Sequence, residues 1–320
     1  MSEQTVPVRQ DKRLHQGKDY DHGHHHGHHH HDGENIAQKG QSQFVVVFKR
    51  LCKNKSAMIG MCMMIFLILV AIFAPLIAPY SVATKMNPGS ARLGPCAAHW
   101  FGTDEYGRDI FARIVWGARY SLGLGVGAVA INTIIGTLLG AIAGYFGGWV
   151  DNLILRAMDI LQTIPGTLLA IIMSSTLGPG YFQTILAMSI GGIAGPCRLI
   201  RGNILQIRGE EYIEAATAIN ASNPRIIATH ILPNSLAPLI INTAMGIGGT
   251  IMGAAGLSYI GLGVQPPTPE WGAMLSGGKD FIRYYPHMVI FPGLAIAITI
   301  LAINMFGDGL RDAMDPRLKD

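Results

Sequence analysis

An all-α, polytopic membrane protein with six transmembrane helices is the fold class that this 320-residue sequence predicts. Three observations predict it. Hydrophobic residues make up 49% of the chain and charged residues only 14%, with a mean hydropathy of +0.32, whereas soluble globular chains carry about 25% charged residues. Six apolar runs each approach the ~20 residues that a helix needs to cross the hydrocarbon core. Gly is abundant, at 40 residues, and transmembrane helices use Gly for close packing.

The elements follow in order. Residues 1–50 read as a His-rich, disordered cytoplasmic tail, so the first apolar run is no short cleavable signal and stays as an anchor. Span 1 is expected at about 57–78, closing at Pro79, within a first unit of 51–78. An extracytoplasmic segment, 79–119, follows. Residues 120–310 form a core of five further helices, expected at about 120–144, 153–176, 183–202, 235–263 and 288–307. A polar loop at 203–233 interrupts this core, and 311–320 is a cytoplasmic C-terminus.

Lys and Arg set the orientation. With the N-terminus inside, seventeen of the 24 Lys and Arg lie in cytoplasmic segments, which places both ends inside. Five of the seven exceptions, Lys85, Arg92, Arg108, Arg113 and Arg119, share the segment 79–119 with Asp104, Glu105 and Asp109. That segment reads as structured protein. The net charge of +4 forms no basic patch with interleaved aromatics, so nucleic acid is not a partner. The four cysteines show no paired spacing, which argues against a disulfide framework, an iron–sulfur centre and a structural zinc site.

Between spans 4 and 5 lies "EEYIEAATAINASNPRIIATHILPN" (210–234). Tyr212, Ala215, Ala216 and Ile219 make an apolar stripe at helical spacing, with Glu210, Glu211 and Glu214 beside it. Acids in a first turn suit the positive end of the helix dipole. Asn220 tolerates the left-handed conformation that ends a helix. Asn223 can cap a second helix that starts at Pro224, and Pro233 stops it. Two readings stand: a hairpin packed on its own membrane domain, or a docking element for a cytoplasmic partner.

Arg156 and Asp159, three residues apart at the cytoplasmic edge of span 3, are expected to form a structural ion pair that Asp151 can join. Gly136, Gly140 and Gly144 are four apart in span 2 and imply close helix packing. Gly246, Gly248, Gly249, Gly253 and Gly256 in span 5 allow the same reading or a share in a pathway. "DHGHHHGHHHHDG" (21–33) offers His22, His24, His25, His26, His28, His29, His30 and His31 as nickel, zinc or copper ligands. The bland reading there is an incidental metal-binding tail or an engineered tag. No GxxxxGK[ST] loop occurs, so the chain is not expected to hydrolyse ATP. No nucleophile–base constellation is apparent either.

The insert resembles the EAA loop of ABC-importer permeases. Glu214, Ala215, Ala216, Leu232 and Pro233 match that pattern, while Asn220 stands in the place of its Gly and His230 in the place of its Ile. "HWFGTDEYGRDIFARIVWGARYSL" (99–122), "LSYIGLGVQPPTPEWGAMLSGG" (257–278) and "GDGLRDAMDPRL" (307–318) are similar to the dipeptide, oligopeptide and nickel branch, C-type subunit. The resemblance implies a type I importer fold in a bacterial inner membrane. It also implies a pathway shared with a second permease subunit, two cytoplasmic ATPase subunits that use ATP, and an extracytoplasmic binding protein. Peptides are the implied substrate and nickel the alternative, with Glu211, Tyr212, Glu214, Ala215, Ala216, Ile219, Asn220, Pro224, Leu232 and Pro233 as the ATPase-coupling loop. A rival of another class is a secondary metal transporter loaded by the His-rich tail. Such a carrier would need ionisable residues inside the bilayer, and spans 1, 2, 4, 5 and 6 carry no acid or His in their interiors.

Overall fold

The computed structural model describes residues 43–207 and 232–314. Among these residues every regular element is helical, and the one β-bridge, Thr103 to Asp109, is isolated. Helix α1 (Gln43–Lys53) begins inside the stretch assigned to the tail. Val47 and Leu51, four apart, seat it against Ala57 and Ala313. Asn54 then caps α2 (Lys55–Ile77), its side chain accepting from the Ala57 N–H at 3.2 Å. Phe66, Ile72 and Leu76 of α2 are exposed, which suits a helix whose surroundings are lipid. A short α3 (Tyr80–Thr84) follows.

Helix α4 (Ile110–Phe146) has 37 residues, about 55 Å at 1.5 Å per residue. It starts ten residues before the expected span 2. Arg113 and Arg119 did not end it, because Asp109 caps it through the Ala112 N–H at 2.8 Å and Arg113 is buried by protein. α4 is the central helix. Its neighbours are α2, α7 (Tyr181–Gly192), α8 (Ala194–Ile207) and α9 (Leu232–Tyr259). α10 (Trp271–Gly278) and α11 (His287–Met314) complete the bundle.

The runs expected as spans 3 and 4 are each broken. α5 (Gly148–Thr163) and α6 (Gly166–Leu177) meet at 87°. Pro165 forces Ile164 into extended backbone, φ −91° and ψ 126°, as the residue before a proline prefers. α7 and α8 part at Ile193, because the N–H that would bond the Gly192 carbonyl belongs to Pro196, which has none. Among the described residues four helices, α2, α4, α9 and α11, are long and apolar enough to cross a membrane, and the bent α5–α6 pair makes a fifth if it counts as one span.

Gly136, Gly140 and Gly144 of α4 do their work against α8. A Cβ on Gly136 would lie 2.6 Å from the Ile193 carbonyl oxygen, one on Gly144 2.9 Å from Ile204 Cβ, and one on Gly140 would strike the Cys197 carbonyl. Backbone therefore touches backbone, with Ala141, Ile200 and Ile204 buried alongside. Gly60 and Gly309 bring α2 and α11 together in the same manner.

Gly140→Val should push α8 off α4 and cost about 2 kcal/mol or more. The check is the melting temperature of detergent-solubilised protein. Gly195→Ala, which meets open space on α8, should leave that temperature unchanged or slightly higher.

Candidate translocation and coupling site

The coupling residues Glu211, Tyr212, Glu214, Ala215, Ala216, Ile219, Asn220 and Pro224 lie outside the described residues, as do His22 to His31 of the tail. Leu232 and Pro233 are the first two residues of α9. The chain enters that stretch from α8 and leaves it into α9, so these two helices carry it.

At the same end, α8 is tied to α5. Arg201 grips Asp151 with two bonds, Nε to Oδ1 and Nη2 to Oδ2, each 2.6 Å. Arg198 Nη2 meets Asp159 Oδ1 at 2.7 Å. The second pair is exposed and contributes at most about 1 kcal/mol. The first is a bidentate, better-buried pair and the firmer tie. Asp159 is thus paired across helices with Arg198, and not with Arg156 as the spacing suggested. An Arg placed N-terminal to its acid is the poorer order within a helix, and α8 presents a better-placed partner. Arg198 and Arg201 carried only an orientation signal in the sequence.

Between α6, α7 and α9 lies a groove of about 680 Å3. Gly246, Gly249, Gly253 and Gly256 share the face of α9 that lines it. A side chain on Gly249 or Gly256 would meet open space, whereas one on Gly253 would lie 2.7 Å from Met188 Cε. Unlike the α4 glycines, Gly249 and Gly256 pack on nothing among the described residues. The groove is largely apolar, with Asn132, Thr167 and Thr250 as its polar side chains.

The opposite end is held by buried charge. Arg108 and Arg113 are each 2% exposed. Arg108 Nε binds Asp104 Oδ2 at 2.6 Å, Arg113 Nε lies 3.4 Å from the same oxygen, and Arg108 Nη2 lies 3.6 Å from Glu105. Arg113 Nη1 donates to the Ala83 carbonyl at 2.9 Å and the Pro267 carbonyl at 3.3 Å. One side chain therefore ties α4 to α3 and to the loop before α10. Glu270, also buried, caps α10 by accepting from Gly272 N and Ala273 N at 2.8 Å each. It accepts a third bond from Ser121 of α4 at 3.3 Å. Trp271 donates from Nε1 to the Ile114 carbonyl at 3.1 Å, and Gly117 leaves room for its ring. Sequence reading found a structured segment here but not the clamp, whose members stand far apart in the chain.

Burial pushes the carboxyl groups of Glu105 and Glu270 above the ordinary range, Glu105 with further help from Asp104. The folded state then binds more protons than the unfolded state between the ordinary and the raised values. The contribution is full below the ordinary carboxylate range and falls as pH rises through the raised values. Glu105→Gln should therefore flatten the decline of melting temperature with rising pH, measured in steps from pH 4 to 8. Glu270→Ala removes the cap of α10 and should cost about 2 kcal/mol by the same measurement.

Comparison with known proteins completes the picture. Residues 136–320 match the family described as binding-protein-dependent transport system inner membrane component. Residues 42–95 match the N-terminal TM domain of oligopeptide transport permease C. A dipeptide transport system permease protein of Alkalihalophilus pseudofirmus is 50% identical over 272 residues, 85% of this chain and 89% of the relative. A glutathione transport system permease protein of Escherichia coli is 47% identical over 272 residues, 85% and 90% of the two chains. Among solved structures, a chain of an inward-facing methionine ABC transporter superposes with a TM-score of 0.52 at 19% identity, covering 64% of this chain and 98% of that one. That likeness is one of fold, the type I importer permease fold. The chain belongs to the binding-protein-dependent inner membrane components, as a multi-pass ABC-importer permease of the peptide family.

Proposed function

We propose that this chain is one of two permease subunits of an ATP-driven importer of short peptides. The observation that carries the reading is the similarity, over 85% of the chain, to permeases named for dipeptide and glutathione transport. The groove between α6, α7 and α9 supports it. Its lining holds no Asp, Glu, Lys, Arg or His, which suits cargo of varied side chains. The open glycine face of α9 lines the pathway, and the second permease subunit closes it.

The stretch 208–231 docks on a cytoplasmic ATPase subunit, one per permease, through Glu214, Ala215, Ala216 and their neighbours. With α5–α6 and α7–α8 each counted as one broken crossing, six crossings put both chain ends in the cytoplasm, and the α3 and α10 end faces the binding protein outside. The ties of Arg201 to Asp151 and Arg198 to Asp159 make α5 and α8 move as one when the ATPases close. The chain supplies no catalytic group for hydrolysis.

In a purified complex, Glu214→Arg should abolish ATPase docking and substrate-stimulated hydrolysis while the subunit stays in the membrane. Retention of both would overturn the coupling assignment. Gly256→Trp should fill the groove and lower uptake of labelled peptide at least tenfold without loss of assembly. Uptake that survives loss of the ATPases but collapses with the proton gradient would instead mark a secondary transporter.

A further inference from the structure

Two helix breaks and one buried amide meet in the groove. Asn132 sits at the centre of the stretch expected to span the membrane as 120–144, and is 8% exposed. Its Oδ1 is engaged by the Thr133 hydroxyl at 3.2 Å, while its Nδ2 has no acceptor among the described residues. Gly192 stands directly against that Nδ2, and a Cβ there would occupy the space of the amide. Gly192 is also the residue whose carbonyl loses its helical donor to Pro196. The second break adds donors. The first backbone bond of α6 runs from Leu169 N to the Pro165 carbonyl, so the N–H groups of Gly166 and Thr167, at the start of α6, have no partner within the helix. Gly166, Thr167, Gly191, Gly192 and Asn132 all line the one groove.

Unpaired polar groups at this depth are costly without water, and broken helices in membrane proteins occur where backbone lines a cavity or meets a ligand. The groups here are amide donors and a carbonyl acceptor with no fixed charge. That set complements a peptide bond and discriminates poorly among side chains.

We propose that Asn132 and Gly192 form a station that reads the peptide backbone of the cargo, Asn132 Nδ2 donating to a peptide carbonyl and the Gly192 carbonyl accepting from a peptide N–H. The proposal rests on the peptide-import reading, and Asn132 touches the substrate in it.

The test compares Asn132→Ser with Asn132→Ala in the complete reconstituted complex. The two side chains differ in little but a hydroxyl donor. Labelled di- and tripeptides of differing side chains serve as probes, with the binding protein saturated so that the maximal rate reads steps after delivery. Asn132→Ala should lower that rate about tenfold for all the peptides, the worth of one lost hydrogen bond, and Asn132→Ser should recover part of it. Equal rates for the two variants, or a loss confined to one peptide, would overturn the proposal. Release of the second permease subunit by Asn132→Ala but not by Asn132→Ser, seen by co-purification, would also overturn it, because the amide would then belong to the subunit interface. Peptide uptake by the wild-type complex is the control. Its absence would sink the import reading itself and is read before either variant.

Discussion

Contact between the backbones of α4 and α8 is the constraint on which the rest of the structure depends. In lipid there is no hydrophobic drive to press helices together, so close van der Waals approach has to supply it. Gly136, Gly140 and Gly144 permit that approach by offering no side chain where Ile193, Cys197 and Arg201 present their carbonyls. Once α8 is seated, Arg198 and Arg201 come within reach of α5. The polar stretch after Ile207 is therefore hung from a helix that cannot move without α4 or α5.

On the α8-facing side of α4 and the groove face of α9 glycine serves two purposes, separable by what lies opposite. Gly136 and Gly140 of α4 face carbonyl oxygens closer than any side chain would allow. On α9, Gly249 and Gly256 face open space. The same residue type is thus a packing device on one helix and a way of keeping a surface low on another. Spacing alone does not tell them apart, because both sets recur at three or four residues.

Much of the fold was legible from composition and run length. The boundaries of α2 and α9 and the start of α11 were close to expectation because uncharged runs of that length have few other solutions, while α11 runs on past Gly307 to Met314. α4 begins ten residues before the expected span because its first turns, with Arg113 buried and facing Asp104, are held by protein. The broken runs were missed because Pro165 and Pro196 each sit inside a run long enough to be read as a single span. The Asp159 pairing was hidden for a simpler reason: spacing reports neighbours on one helix, and the actual partner lies on another. The EAA pattern falls largely on residues outside the described structure, so its recognition rested on the order of residues and not on their geometry.

The length of α4 has a mechanical consequence. A helix of about 55 Å exceeds the ~30 Å hydrocarbon core by several turns, and those turns are bolted to α3 and α10 through Arg113, Ser121 and Gly117. A rod fixed at one end cannot slide along its own axis. Whatever displaces α8 at the far end can only tilt or twist it about that fixed point, like a pendulum on a clamped pivot. Small angular changes at the clamp would then appear as the largest displacements at the end where the chain leaves α8.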